Sequence, residues 1–386
     1  MMHHWLLPEN IEDILPSQAT QIESWRRQLL DLFASHGYDY VIPPMLEYLE
    51  SLTTGVGRDL DLATFKVVDQ LSGRLMGVRA DITPQAARID AHLLNHQGVT
   101  RVCYAGHVLR TLPDEVTMTR EPIQIGAELF GHIGVEGDLE IQSLMVKALR
   151  IAGLKDIHVD FSHIGIFSNL LEMSNLTDLL KQDLQVALQS KDAAQVKHIV
   201  QQCDAGAGVA IQSLMDLSGD IAVLDEAEKR LPKTQAIKSA LTDLRVAAQA
   251  LIKMGVKVSI DLSELRGYQY HSGMLFAAYA PGCAGALALG GRYDMVGSIF
   301  GRARPATGFS LDLRGLLPLT EIKPSINRIL APYDLQDVDL QKTIDALRAK
   351  GEIVVIDLPG HEANQHELGC QRKLSKTTSG WAVINF

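Results

Sequence analysis

The stretch HVLRTLPDEVTMTREPIQIGAELFG, His107 to Gly131, decides how the rest of the chain is read. Its second half sets Arg120, Glu121, Gln124 and Glu128 among apolar residues and glycine. Side chains alternate along a strand, so Gln124, Gly126 and Glu128 fall on one face and Ile123, Ile125 and Leu129 on the other. An amide and a carboxylate flanking a glycine that leaves room suit a small polar ligand. Taken alone, the same pattern describes a strand with its polar face in water. Its neighbours in the sequence argue for the ligand.

The chain has 386 residues, enough for two or three units and a sizeable core. There are 46 acidic against 36 basic side chains, a net charge of −10, which gives no overall electrostatic reason to bind nucleic acid. Cys103, Cys203, Cys283 and Cys370 are scattered and form no CxxC pair, so they read as reduced thiols of a cytoplasmic protein without a zinc site. No signal peptide is evident at the N-terminus, and His3 and His4 there read as incidental. No apolar run approaches the ~20 residues that span a bilayer. Walker and Rossmann loops are missing; GVGRDL lacks the third glycine.

Apolar residues at helical spacing predict a helix over 17–36, with Ser17 as N-cap and Gly37 as stop. A short strand broken by Pro43 and Pro44 follows. Residues 64–130 are strand-rich, interrupted by a helix in ITPQAARIDAHLLNHQG. Residues about 166–255 read as an inserted helical domain, after which strands resume with a hairpin at Pro281-Gly282. ATGFSLDLRGLL is a strand running into a helix. Beyond Pro318, INRILAPY, DLQKTIDALRAKG and EIVVIDL form β-α-β, a small α/β unit over 319–386. The order predicts an α+β fold with an antiparallel sheet flanked by helices.

In this order the segments resemble a histidyl-tRNA synthetase catalytic domain, of the class II aminoacyl-tRNA synthetase fold, over most of residues 5–318. GYDYVIPPMLE is similar to the first class II motif, which forms a dimer face. YAGHVLR opens the second and TGFSLDLRGL stands for the third. VRADITPQAAR, RGYQYHSG at 266–273 and GGRYD at 290–294 are similar to segments of the histidine branch. The resemblance implies a pocket for L-histidine. Asp81, Thr83 and Gln124 would face its ammonium, and Arg110 and Arg266 its carboxylate. Glu128 would accept from the imidazole, and Tyr270 and Tyr293 would wall the ring. His271 stands where the synthetase pattern has tyrosine.

Other synthetase parts are replaced. Leu112, Pro113 and Met118 stand where the second motif carries a glutamate and arginines that serve ATP. In the third motif a glycine has become Asp312 and the arginine Gly315, leaving Arg314 one residue away and about 100° round a helix. The C-terminal segment is short for an anticodon-binding domain, so no tRNA is expected. A histidine pocket kept while ATP and tRNA parts are lost resembles the regulatory subunit of ATP phosphoribosyltransferase. That resemblance implies no catalysis, no cofactor and no metal of its own. It also implies a hetero-oligomer with a short-form catalytic subunit, which the chain activates and through which it mediates histidine feedback. The alternatives are a divergent histidyl-tRNA synthetase and a synthetase-like binding module serving another process.

Overall fold

The computed structural model describes residues 6–53, 58–113, 118–268, 270–321 and 327–386. Asp114–Thr117, Gln269, His3-His4 and Gly55-Val56-Gly57 therefore lie outside the described residues.

The first helix spans Pro16–Ser35 and buries Ile22, Trp25, Leu29 and Phe33, the stripe its periodicity predicts. Proline rather than Ser17 opens it, a place where the missing N–H costs nothing. Gly37, at φ +81°, ends it in a left-handed turn. Two strands follow, β1 (Asp39–Tyr40) and β2 (Leu46–Tyr48), separated by the two prolines. Then come β3 (Phe65–Val68), β4 (Leu75–Val78), β5 (Thr100–His107), β6 (Ile123–Phe130) and β7 (His158–His163). The helix predicted after β4 is α-helical over Thr83–Arg88 and continues as a π-helix over Ile89–Leu94.

Helices fill 164–253 apart from a two-residue strand, β8 (Ser218–Gly219). Their apolar faces share one continuous core with the sheet, as Phe167, Leu184 and Leu244 group with Ile125 and Phe309. The strands β9 (Lys257–Asp261), β10 (Met274–Tyr279), β11 (Ala288–Arg292) and β12 (Ala306–Asp312) complete the domain. The main sheet has the order β1-β5-β6-β12-β11-β10-β7-β9-β8. It is antiparallel except at β1–β5 and β7–β9. A separate three-stranded sheet runs β2-β4-β3.

The chain forms two compact units. The larger holds the described residues up to Thr320 except Leu15–Gln21; the smaller holds Leu15–Gln21 and the described residues after Thr320. The smaller carries β13 (Arg328–Pro332), the helix Val338–Ala349 and β14 (Val354–Asp357), the predicted β-α-β. Beyond the predicted β-α-β, its last segment is a hairpin of β15 (Cys370–Thr377) and β16 (Gly380–Asn385). Ile329, Ala331, Leu340, Ile344, Val354 and Leu374 make its core. Among the described residues no helix is long and apolar enough to cross a membrane.

In the larger unit β6 lies between β5 and β12, with Glu128 opposite Gly308 and Gln124 opposite Asp312. Ile125, Ala127 and Leu129 pack into the main core with the first helix and the helix Val135–Ile151. The other face of β6 is buried too, so Gln124 and Glu128 do not face water.

Candidate functional site

Glu128 is 1% exposed, and its surroundings are built to receive a carboxyl group. A Cβ on Gly308 across the strand pair would lie 1.5 Å from Glu128 Oε2, so only glycine leaves that space. Tyr293 donates its hydroxyl to Oε2, and Tyr104 donates to Oε1 at 2.9 Å. The Tyr104 hydroxyl also lies 2.9 Å from Thr83 Oγ1. Gly126 makes room for the Tyr104 ring, since a Cβ there would come within 2.6 Å of its hydroxyl.

Burial pushes the Glu128 carboxyl up to about 8. The two tyrosine hydrogen bonds pull in the opposite direction, and the Asp81 carboxylate reinforces burial. A cation placed here would stabilise the ionised form. The phenols of Tyr104, Tyr270 and Tyr293 are raised well above their ordinary range, first by burial and then by Glu128, and stay neutral donors.

Asp81 stands at the start of the helix Thr83–Arg88. Its Oδ1 accepts from the Thr83 backbone N–H and from Gln124 Nε2, each at 2.9 Å. Gln124 is held on both sides: its Oε1 accepts the Ile82 N–H at 2.9 Å and its Nε2 reaches Ser310 Oγ at 3.1 Å. Aromatic rings form one wall. Tyr270 and Tyr293 lie 5.1 Å apart with planes tilted by 30°, and His271 meets Tyr270 edge-on at 5.1 Å. The buried Tyr270 hydroxyl has no hydrogen-bond partner among the described residues. Burial, with Arg266 nearby, pushes the His271 imidazole down to about 4, against a hydrogen bond to the Arg292 carbonyl.

Eight of the nine residues singled out from sequence line one cavity of about 840 Å³: Asp81, Thr83, Arg110, Glu128, Arg266, Tyr270, His271 and Tyr293. The ninth, Gln124, stands behind Asp81 and orients it. Of the cations in this lining, Arg110 donates from Nε to the Ala80 carbonyl at 3.3 Å, and the Arg266 guanidinium lies 3.6 Å from Glu264. Leu112 and Pro113 also line the cavity. The sequence reading missed Tyr104 and Gly308. Their only signal was alternation, which sets Tyr104 opposite Gly126, and Gly308 within the third motif.

The end of β12 is organised differently. Asp312 Oδ1 accepts the backbone N–H groups of Ile123 and Arg314, at 2.9 and 3.0 Å, and so caps the turn Leu313–Leu319. Arg314 is buried, pairs with Glu12 at 2.5 Å and does not line the cavity.

The fold and site together define a class II protein like the histidyl-tRNA synthetases. Residues 10–316 match the family model described as histidyl-tRNA synthetase. The solved histidyl-tRNA synthetase from Nostoc sp. PCC 7120 superposes with a TM-score of 0.78 at 16% identity, covering 99% of this chain and 97% of its own, a likeness of fold. A structure from Bacillus halodurans C, described as an ATP phosphoribosyltransferase regulatory subunit/histidyl-tRNA synthetase, gives 0.84 at 26% identity, covering 97% and 98%.

Residues 326–384 match the model of the ATP phosphoribosyltransferase subunit HisZ C-terminal domain. The ATP phosphoribosyltransferase regulatory subunit of Methylobacillus flagellatus is 57% identical over 99% of both chains. That of Cupriavidus necator is 53% identical over 100% of both. This chain belongs to the family of ATP phosphoribosyltransferase regulatory subunits.

Proposed function

We propose that this regulatory subunit binds L-histidine in the cavity, activates a short-form catalytic ATP phosphoribosyltransferase subunit and mediates its feedback inhibition. The observation that carries the histidine reading is the Glu128 carboxyl, buried between two tyrosine hydroxyls in the same cavity as Asp81, Arg110 and Arg266. A buried acid requires a partner when ionised, and a ligand bearing a cationic ammonium, a polar ring and a carboxylate supplies one for each charge present. Asp81 and Thr83 would take the ammonium and the two arginines the carboxylate. Glu128 would take the ring between Tyr270 and Tyr293.

Feedback then requires that histidine bind one state of the hetero-oligomer more tightly than the other. Self-association is proposed through the first-motif face, where Ile42, Met45 and Leu46 are exposed. The test is co-purification with the catalytic subunit and assay of the complex with and without L-histidine. Arg266→Ala and Glu128→Ala are expected to relieve inhibition. If both variants remained fully histidine-sensitive, the assignment of the cavity would be wrong. Histidine-dependent pyrophosphate–ATP exchange by the purified chain would replace this reading with a divergent synthetase.

A further inference from the structure

His271 departs from the synthetase pattern, yet the fold grips its ring closely. A Cβ on Gly267 would lie 2.9 Å from its Cδ2, and one on Gly291 would lie 2.8 Å from both Cε1 and Nδ1. Gly267 also has φ +61°, where a side chain is strained. The ring is thus seated between two glycines, with Tyr270 edge-on against it.

Its hydrogen bonding is equally fixed. Nδ1 lies 3.3 Å from the Arg292 carbonyl oxygen, which only accepts, so the proton of the neutral ring sits on Nδ1. A neutral imidazole has one N–H, which leaves Nε2 a bare lone pair. That atom makes no hydrogen bond to the described residues, while His271 lines the cavity. The strand end carrying the carbonyl is itself clamped. Arg292 donates to Asp138 Oδ2 from Nη2 at 2.9 Å and from Nε at 3.1 Å, and to the carbonyls of His132 and Gly134, each at 3.0 Å. The tautomer is thereby imposed from the opposite face of the sheet.

We propose that His271 is an acceptor-only specificity residue, held in one tautomer by the Arg292 carbonyl, whose Nε2 takes an N–H from the ligand's ring. This rests on the histidine reading above and adds to it a reason for discriminating among rings of equal size. The tyrosine of the synthetase pattern has a hydroxyl that both donates and accepts; His271 here accepts alone. A histidine ring bound as imidazolium carries two N–H groups, one for the Glu128 carboxylate and one for His271 Nε2. A thiazole of the same shape offers a ring nitrogen lone pair, and two lone pairs would then face each other without a proton.

The test compares L-histidine with thiazolylalanine by calorimetry on the full chain. Wild type is expected to prefer L-histidine by at least about 100-fold, as sites built around a buried hydrogen bond do. His271→Gln, whose amide can also donate, is expected to narrow that preference by roughly tenfold or more, the scale of one hydrogen bond. Independently of any variant, imidazole nitrogen NMR of the wild-type chain should show His271 protonated at Nδ1 alone. Its Nε2 resonance should shift on adding L-histidine and stay still on adding thiazolylalanine. A proton found on Nε2, or a preference in His271→Gln within about twofold of wild type, overturns this inference while leaving histidine binding intact. Failure of the wild-type chain to bind L-histidine at all overturns the histidine reading and this inference together.

Discussion

The two ends of β12 put acidic chemistry to opposite uses. At Gly308 the strand has no side chain, and the space it leaves is occupied by the Glu128 carboxyl in the cavity. Two pairs further along on the same face, Asp312 turns its carboxylate to backbone N–H groups and closes the strand into a helical turn. The nearby Arg314 is tied to Glu12. One end holds an acid in the cavity, and the other uses its charges to hold the chain.

The largest effect should come from Gly308→Ala. The added methyl would overlap Glu128, so we expect the carboxyl to be displaced, L-histidine affinity to fall by at least about 100-fold, and stability to drop by about 1–3 kcal/mol. Calorimetry and urea unfolding read the two effects separately. An affinity within about threefold of wild type would mean that Glu128 is not the ring's partner.

Next comes pH. Glu128 rises from 4.5 to about 8 on folding, so the stability linked to it is complete below 4.5 and lost as pH climbs through 8. His163 and His271, both pushed down by burial from 6.5 to about 4, act the other way. Their contribution is complete above 6.5 and lost as pH falls through 4. Together these groups place maximal stability near pH 6.5. Glu128→Gln should remove the decline between pH 6.5 and 9 while leaving the acid limb in place; urea midpoints across that range check this. An unchanged alkaline limb would show that Glu128 is already ionised in the empty site.

At the other end of β12, Asp312→Ala removes a cap and is expected to cost about 1 kcal/mol of stability, with little change in histidine affinity. A large loss of affinity there would erase the contrast between the two ends. Smallest of all should be Glu12→Ala. Glu12 is 75% exposed, so loss of its pair with Arg314 should cost no more than about 1 kcal/mol in thermal unfolding.

Much of the site was legible before any coordinates. Asp81, Thr83, Arg110, Glu128, Arg266, Tyr270, His271 and Tyr293 come from five separate segments and meet in one cavity. They were found because short motifs keep residue types together in sequence. Tyr104 and Gly308 were not singled out, although YAGHVLR and TGFSLDLRGL contain them, because each matters only through the strand opposite. The hairpin of β15 and β16 was not predicted, because the polar–apolar alternation in TTSGWAVINF is weak. The helical stretch after His163 was legible as helix. That it shares the core of the sheet was not, since helical periodicity reveals an apolar face but not what covers it.

By itself the sequence determined the order of elements, the apolar faces and the list of polar residues that a ligand would need, because periodicity and motif spacing are local properties. Only the tertiary structure decided which of those polar groups face a cavity and which face backbone. Glu128 and Asp312 look alike on the page, and Gln124 and Glu128 share one face of one strand. Their roles separate because cross-strand partners, burial and the space left by Gly308 and Gly126 are set by residues far away in the chain. The raised pKa of Glu128 and the contact of His271 with the Arg292 carbonyl follow from that packing, and neither is written in the residues themselves.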